Sequence, residues 1–236
     1  MIKIISFKIC PCYQKISALL EAMNIPYKSE FLDLNNIPKW FTDISPEIEP
    51  AIQTETGEYI SGLDSVIDYI EIYYYTLYQD FDSKQKDNDK EWNQLATQQY
   101  INQCNTQRSG DLKSMMEKGT LFFEGLESIE KQLGNTKFFN GETLSAVDIA
   151  WLPILHRAYL VKEKTGYDFF ADFPKLKVWQ KNIMKTGIPT KSVPVDFDQV
   201  FVEFYLNEST YLGKCLHLSK NTLITETNLN YACECS

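Results

Sequence analysis

Long apolar runs, basic clusters, histidines and phosphate-cradling loops are all scarce in this chain, and each scarcity removes a class of function. The longest uninterrupted apolar stretch, 149–155, has seven residues, where a membrane helix needs about 20; no transmembrane segment is expected. Lysine and arginine number 23 against 32 acidic residues, a net charge of −9. No Lys/Arg cluster interrupts that balance, which excludes the basic footprint of a nucleic-acid binder. There are two histidines, His156 and His217, far apart in sequence and without a catalytic setting. His156 falls on an apolar helical stretch, 149–160, and reads as a structural residue. No P-loop, GxGxxG or HExxH pattern occurs.

Cysteine is sparse as well. Six in 236 residues is too few for a secreted disulfide scaffold. Two pairs have the spacing C-x-C, Cys10-Pro11-Cys12 and Cys233-Glu234-Cys235, one residue tighter than the pairs of a four-cysteine zinc site. No metal site is expected. The N-terminal stretch is apolar but is broken by Lys8, and no small-residue cleavage site follows. It reads as a buried strand rather than a signal peptide, and the protein as cytoplasmic.

What is present is an ordinary folded composition, 44% hydrophobic and 23% charged. The length suits one large domain or two small ones and can bury a core without metal or disulfide support. Residues 2–9 are β-branched and aromatic and predict a strand. Pro11 suits the first position of a helix. Ile16, Leu19, Leu20 and Met23 then mark one helical face, and the Asn24-Ile25-Pro26 sequence stops it. A strand at 27–34, a short helix at 38–41, a hairpin turning at Gly57 and a helix capped by Ser61 with Asp64 complete a β-α-β-α-β-β-α order. The charged stretch 80–91 has the composition of a linker. Helical spacing dominates afterwards, over 92–107, 111–133 and from Pro174 through Ile183. In the segment 144–149, Ser145 and Asp148 have capping-box spacing and Leu144 can staple onto Ile149; Asp148 reads as structural. Residues 214–236 lack helical periodicity and read as a loose tail. There are no internal repeats.

Cys10 carries the best candidate chemistry. It follows a strand and precedes a helix, whose first N–H groups are unsatisfied and carry partial positive charge. A thiolate is favoured there, which is the setting of a nucleophilic or redox cysteine; the alternative is a small buried residue at a strand end. Cys12 lies about 200° round the helix and is expected to point away from Cys10 and pack inward.

These residues resemble the glutathione S-transferase family, nearest to its omega-like and bacterial cysteine-type members. The likeness covers about residues 2–213. In the first third it rests on ISFKICPCYQK, PKWFTDISP, Glu49-Pro50-Ala51 and the helix ending Asp68-Tyr69-Ile70-Glu71. Beyond, it rests on LSAVDIAWLPILHR, TGYDFFADFPKLKVWQ, SVPVDF and FYLNESTYLG. The resemblance implies an α/β plus all-α fold. A thioredoxin-like domain would span 1–78, a linker 79–91, an all-helical domain 92–213 and a flexible tail 214–236.

The resemblance also implies a function. Cys10 matches the active-site cysteine of omega-like members, which favour glutathione-dependent thiol transfer and reduction. Pro50 matches the family's cis-proline, and the backbone of Glu49 would pair with glutathione. Gly62 and Leu63 stand where the family's Glu-Ser holds the γ-glutamyl end; Asp64-Ser65 would take that place only with a two-residue slip. Ile44 stands for a lysine, and Glu49-Pro50-Ala51 for Val-Pro-Val. Glutathione, a small electrophile or disulfide, and a second copy of the chain are the implied partners, with no nucleic acid, membrane or metal. The missing anchors leave a second reading, a non-catalytic binding or regulatory protein on the same fold. The tail cysteines Cys233 and Cys235 would be either idle or resolving thiols for Cys10.

Overall fold

The computed structural model describes residues 1–74 and 83–222. The chain opens with β1 (Ile2–Ser6), α1 (Pro11–Ala22), β2 (Tyr27–Phe31), α2 (Lys39–Ile44), β3 (Ala51–Gln53), β4 (Tyr59–Ser61) and α3 (Leu63–Tyr74). The four strands form one sheet in the order β2-β1-β3-β4. β1 and β2 run parallel, with Ile4 opposite Ser29, and the remaining pairs are antiparallel, with Ile4 opposite Ile52. Alternation along β1 sorts its isoleucines. Ile2 and Ile4 join the large core with Ile16, Leu20, Val66 and Ile70, while Ile5 packs with Phe41 and Ala51 in a smaller cluster.

The rest is helical: α4 (Ser83–Gln107), α5 (Leu112–Gln132), α6 (Ala146–Thr165), α7 (Pro174–Lys185), α8 (Ile188–Lys191), α9 (Phe197–Tyr205) and α10 (Tyr211–Thr222). This is the α/β domain followed by an all-α domain that the sequence leads one to expect. α6 is the central post. Sixteen of its 20 residues are buried, so it is enclosed all round rather than amphipathic, and it packs against α1, α4, α7 and α10. Its start is secured by Asp148, which is fully buried. Asp148 Oδ2 accepts from Ser145 N–H at 2.8 Å and from the Ser145 hydroxyl at 2.6 Å. Oδ1 accepts from Phe139 N–H at 2.9 Å and Trp179 Nε1–H at 2.6 Å. The capping spacing therefore also ties α6 to α7 and to the loop before it.

Three local expectations are corrected. Residues 83–91 of the expected linker are the first turns of α4, because Lys, Gln and Glu are good helix formers whatever their polarity. Asp89 is 2% exposed there, held by Asn140 Nδ2 at 3.0 and 2.9 Å. Residues 214–222 of the expected tail belong to α10, which buries Leu212, Cys215 and Leu216. α10 enters over Gly213, where a β-carbon would meet Asn207 O at 1.9 Å. Finally, α3 starts one residue later than a Ser61 cap requires. Ser61 ends β4, and Gly62 accepts from Val66 N–H at 3.0 Å with φ +91, a conformation that glycine alone adopts at little cost. Residues 75–82 and 223–236, including Cys233 and Cys235, lie outside the described residues. No helix among the described residues is long and apolar enough to cross a membrane.

Candidate active site

Cys10 stands at the junction of β1 and α1. Its N–H closes a turn onto Phe7 O at 3.1 Å, and its φ of −71° and ψ of 123° are those of an N-cap, with Pro11 following at the first helical position. The sulfur makes no short cap hydrogen bond. Instead several donors face one polarisable atom: the Cys12 thiol above all, then the backbone N–H of Tyr13, the hydroxyl of Ser6 and the backbone N–H of Cys12. Ser6 Oγ is buried and has no close partner of its own among the described residues. Burial opposes these donors, yet the net result lowers the Cys10 thiol to about 6. An ionised, half-buried sulfur at neutral pH is a nucleophile.

Cys12 packs against the core as expected, yet it remains beside Cys10 rather than turned away from it. The 200° separation holds between two helical residues, but Cys10 is the extended cap, and a cap side chain folds over the first turn towards the second and third helical positions. Those positions are Cys12 and Tyr13. The Cys12 thiol therefore lies within the influence of Cys10, and its own pKa is pushed well above the ordinary value by the Cys10 side chain, by burial and by the Cys10 charge. One turn on lies Lys15, only 7% exposed and without an ion pair or hydrogen bond among the described residues. Burial pulls its pKa down, while Asp64, Cys12 and Glu71 favour its charge. Lys15 faces a cleft of about 940 Å³ between α1, α3 and α4, lined also by Asp64, Asp68, Asn93 and Ala146.

Beneath the cysteines, α6 supplies a cation that sequence reading missed. Arg157 is 1% exposed. It donates to Gln14 Oε1 from Nη1, to Pro153 O at 3.2 Å, and from Nη2 to Ile9 O at 3.1 Å. Its guanidinium lies over the Phe197 ring, 5.3 Å from the centroid. Every one of these hydrogen-bond acceptors is a neutral oxygen. Gln14 Nε2 in turn reaches His156 Nδ1 at 2.8 Å and Ser192 Oγ at 3.4 Å, and Ser17 Oγ donates to Ser192 O at 2.6 Å. His156 is structural as expected: burial, then Arg157, lower its pKa to about 3. The available signal was a Gln and an Arg placed within otherwise apolar helical faces, 143 residues apart. Arg157 also favours the ionised forms of Tyr100, Cys104 and Tyr205, although burial dominates and pushes all three up. Cys104 Sγ and Tyr205 Oη are 2.9 Å apart.

The other side of the site departs from expectation. The described residues contain no cis peptide bond, so Pro50 is trans. The chain reverses at Ile48, with φ +58, and the Glu49 carbonyl accepts from the Ser45 hydroxyl at 2.9 Å. Pro50 O accepts from Gly62 N–H at 3.2 Å, which brings Glu49 beside the head of α3. A β-carbon on Gly62 would stand 3.1 Å from Glu49 Oε2 and 3.8 Å from Ser65 Oγ. The Glu49 carboxylate thus sits where the first N–H groups of α3 favour an anion. Leu63 is buried and turned to the core. Glu49 and Pro50 lie beside Gly62 at the head of α3, while Lys15, Gln14 and Arg157 were not singled out by the sequence.

Comparison with known proteins gives the following. The model of the glutathione S-transferase N-terminal domain matches residues 9–71, and that of the C-terminal domain matches 117–180, together more than half of the chain. The chain is 34% identical over 86 residues to "Probable glutathione S-transferase parA" of Nicotiana tabacum, covering 36% of the chain and 39% of that relative. The chain thus spans about two fifths of the length of that relative. It is 26% identical over 196 residues to "Pyrimidodiazepine synthase" of Drosophila melanogaster, covering 78% and 77%. Among solved structures, glutathione transferase Omega 3C from Trametes versicolor superposes with a TM-score of 0.70 at 20% identity, covering 88% of this chain and 91% of that one. That likeness is one of fold.

Proposed function

Because the chain belongs to the glutathione S-transferase family, we propose that it carries out glutathione-dependent thiol transfer through Cys10. The observation behind this is the lowered pKa of a cysteine at a helix cap. In this reading the Cys10 thiolate attacks the sulfur of a disulfide or of a glutathionylated substrate. A mixed disulfide forms as the substrate's S–S bond breaks and its thiolate leaves. The thiolate of glutathione then attacks the outer sulfur of that mixed disulfide, restoring the Cys10 thiolate; oxidised glutathione leaves where the bound half is glutathionyl, and otherwise a substrate–glutathione disulfide leaves and a second glutathione reduces it. Glutathione would lie along the Glu49–Pro50 backbone and the head of α3 at Gly62 and Leu63. Alkylation by iodoacetamide tests the nucleophile. The Cys10 rate should rise with pH through a midpoint of about 6 and then level off, since the reagent reads the thiolate fraction. A midpoint at or above the ordinary thiol range overturns the reading.

One observation favours a second reading, a binding or regulatory protein with a lost glutathione site. The Glu49 carboxylate lies at the anion-favouring head of α3, where it opposes a ligand carboxylate. Under the catalytic reading, Glu49→Ala tightens glutathione binding about tenfold, the loss of roughly 1.4 kcal/mol of opposition. Calorimetric titration of the reduced protein measures it. No heat from either protein would favour the second reading, and an affinity unchanged by the substitution would take Glu49 out of the site.

A further inference from the structure

Cys10 and Cys12 flank a single proline, and three observations bear on what the second thiol does. The first is reach. With Pro11 helical, helix geometry sets the two Cα atoms about 5.4 Å apart, inside the roughly 4.4–6.8 Å window of disulfides, and each side chain is the largest influence on the acidity of the other. The second is conditional acidity. Cys12 is held protonated first by its bond to Cys10, then by burial and by the Cys10 charge. The first and last of these vanish once Cys10 is covalently capped. The third is Lys15, a buried ammonium without an ion pair among the described residues, whose charge favours the Cys12 thiolate.

We propose that Cys12 is the resolving thiol of this site, with Lys15 as its counter-charge, and that turnover passes through an internal Cys10–Cys12 disulfide. The proposal rests on the reading of Cys10 as the nucleophile. Cys10 thiolate attacks a small or peptide disulfide and one substrate thiolate leaves, taking up the proton that Cys12 gives up. Cys12 thiolate then attacks Cys10 Sγ, the mixed disulfide breaks, and the second substrate thiolate departs and is protonated from solvent. The substrate disulfide is reduced to two thiols, and the protein pair is oxidised to one disulfide. Two glutathione molecules, or one dithiol, return the pair to its reduced state. The bridge closes a tight ring across Pro11, and strained disulfides are the readily reduced ones. Product release in this cycle needs no firmly anchored glutathione, which suits a site with Gly62, Leu63 and the Glu49 carboxylate in the anchoring positions.

Tryptic cleavage after Lys8 and Lys15 isolates both thiols on one peptide, 9–15. The reduced protein is treated with one equivalent of 2-hydroxyethyl disulfide at neutral pH, quenched with iodoacetamide and analysed by mass. Wild type should yield the peptide two hydrogens short and unalkylated. Cys12→Ser should accumulate the Cys10 adduct with mercaptoethanol. By intact mass, Lys15→Gln should clear the adduct roughly tenfold more slowly than wild type, because Cys12 loses the charge that favours its thiolate. If wild type keeps the adduct as long as Cys12→Ser does, the resolving role falls while Cys10 stands as nucleophile. If Cys12→Ser takes up no adduct, both fall. Equal clearance in Lys15→Gln removes Lys15 from the scheme.

Discussion

Cys10→Ser should lower kcat/KM for the reduction of a small disulfide by glutathione at least about a thousandfold, roughly 4 kcal/mol of transition-state stabilisation. At pH 7 a thiol near 6 is about nine-tenths ionised, whereas a serine hydroxyl supplies essentially no anion. The loss should be chemical and not structural. Cys10 caps α1 without a short side-chain hydrogen bond, and serine is among the preferred caps, so the thermal midpoint should hold or rise slightly. Steady-state rates measured with circular dichroism melting separate the two effects. Activity within tenfold of wild type in the serine variant would move the nucleophile elsewhere, and Cys12 would be the first place to look.

Asp148→Ala should have the largest effect on stability, about 3–5 kcal/mol, the range for stripping one member from a buried, fully hydrogen-bonded group. Four donors are left facing a void: Ser145 N–H and hydroxyl, Phe139 N–H and Trp179 Nε1–H. Burial pushes the Asp148 carboxyl up while those four bonds hold it down, so the aspartate persists through its partners. For a chain of this size the thermal midpoint should fall by roughly 10 °C or more. Asp148→Asn should lose less, because it keeps one acceptor oxygen for Phe139 and Trp179. Neither should move the pH midpoint of Cys10 alkylation, since Asp148 supplies no donor to that sulfur. A melting point within a degree or two of wild type would mean the loop before α6 finds other partners.

The legible parts of this molecule were the ones written locally. The strand-then-helix junction at Cys10, the capping spacing of Ser145 and Asp148, and the order of strands and helices through α3 all rest on neighbours in sequence. What escaped had other causes. Cys12 was misplaced because a helical wheel was extended to a residue that is a cap. The start of α4 was hidden because a charged composition says nothing against a helix. The Gly62 cap depends on φ +91, which Gly62 permits but which a Ser-first reading of the helix start passed over, and the positive φ of Ile48 is one that its residue type does not announce. Arg157 and Gln14 meet only because two domains are packed together, a contact no local pattern encodes.

The grip of Arg157 on Ile9 O and Gln14 also bears on how such a chain can change through descent. Cys10 sits in the first domain, but the loop that leads into it hangs from a side chain in the second. A chimera that grafts this first domain onto a foreign helical domain would strand the Gln14 amide oxygen and the Ile9 carbonyl in a dry seam, a loss of the kind that costs about 1–3 kcal/mol for each orphaned group. The two halves are therefore not modules to be shuffled independently.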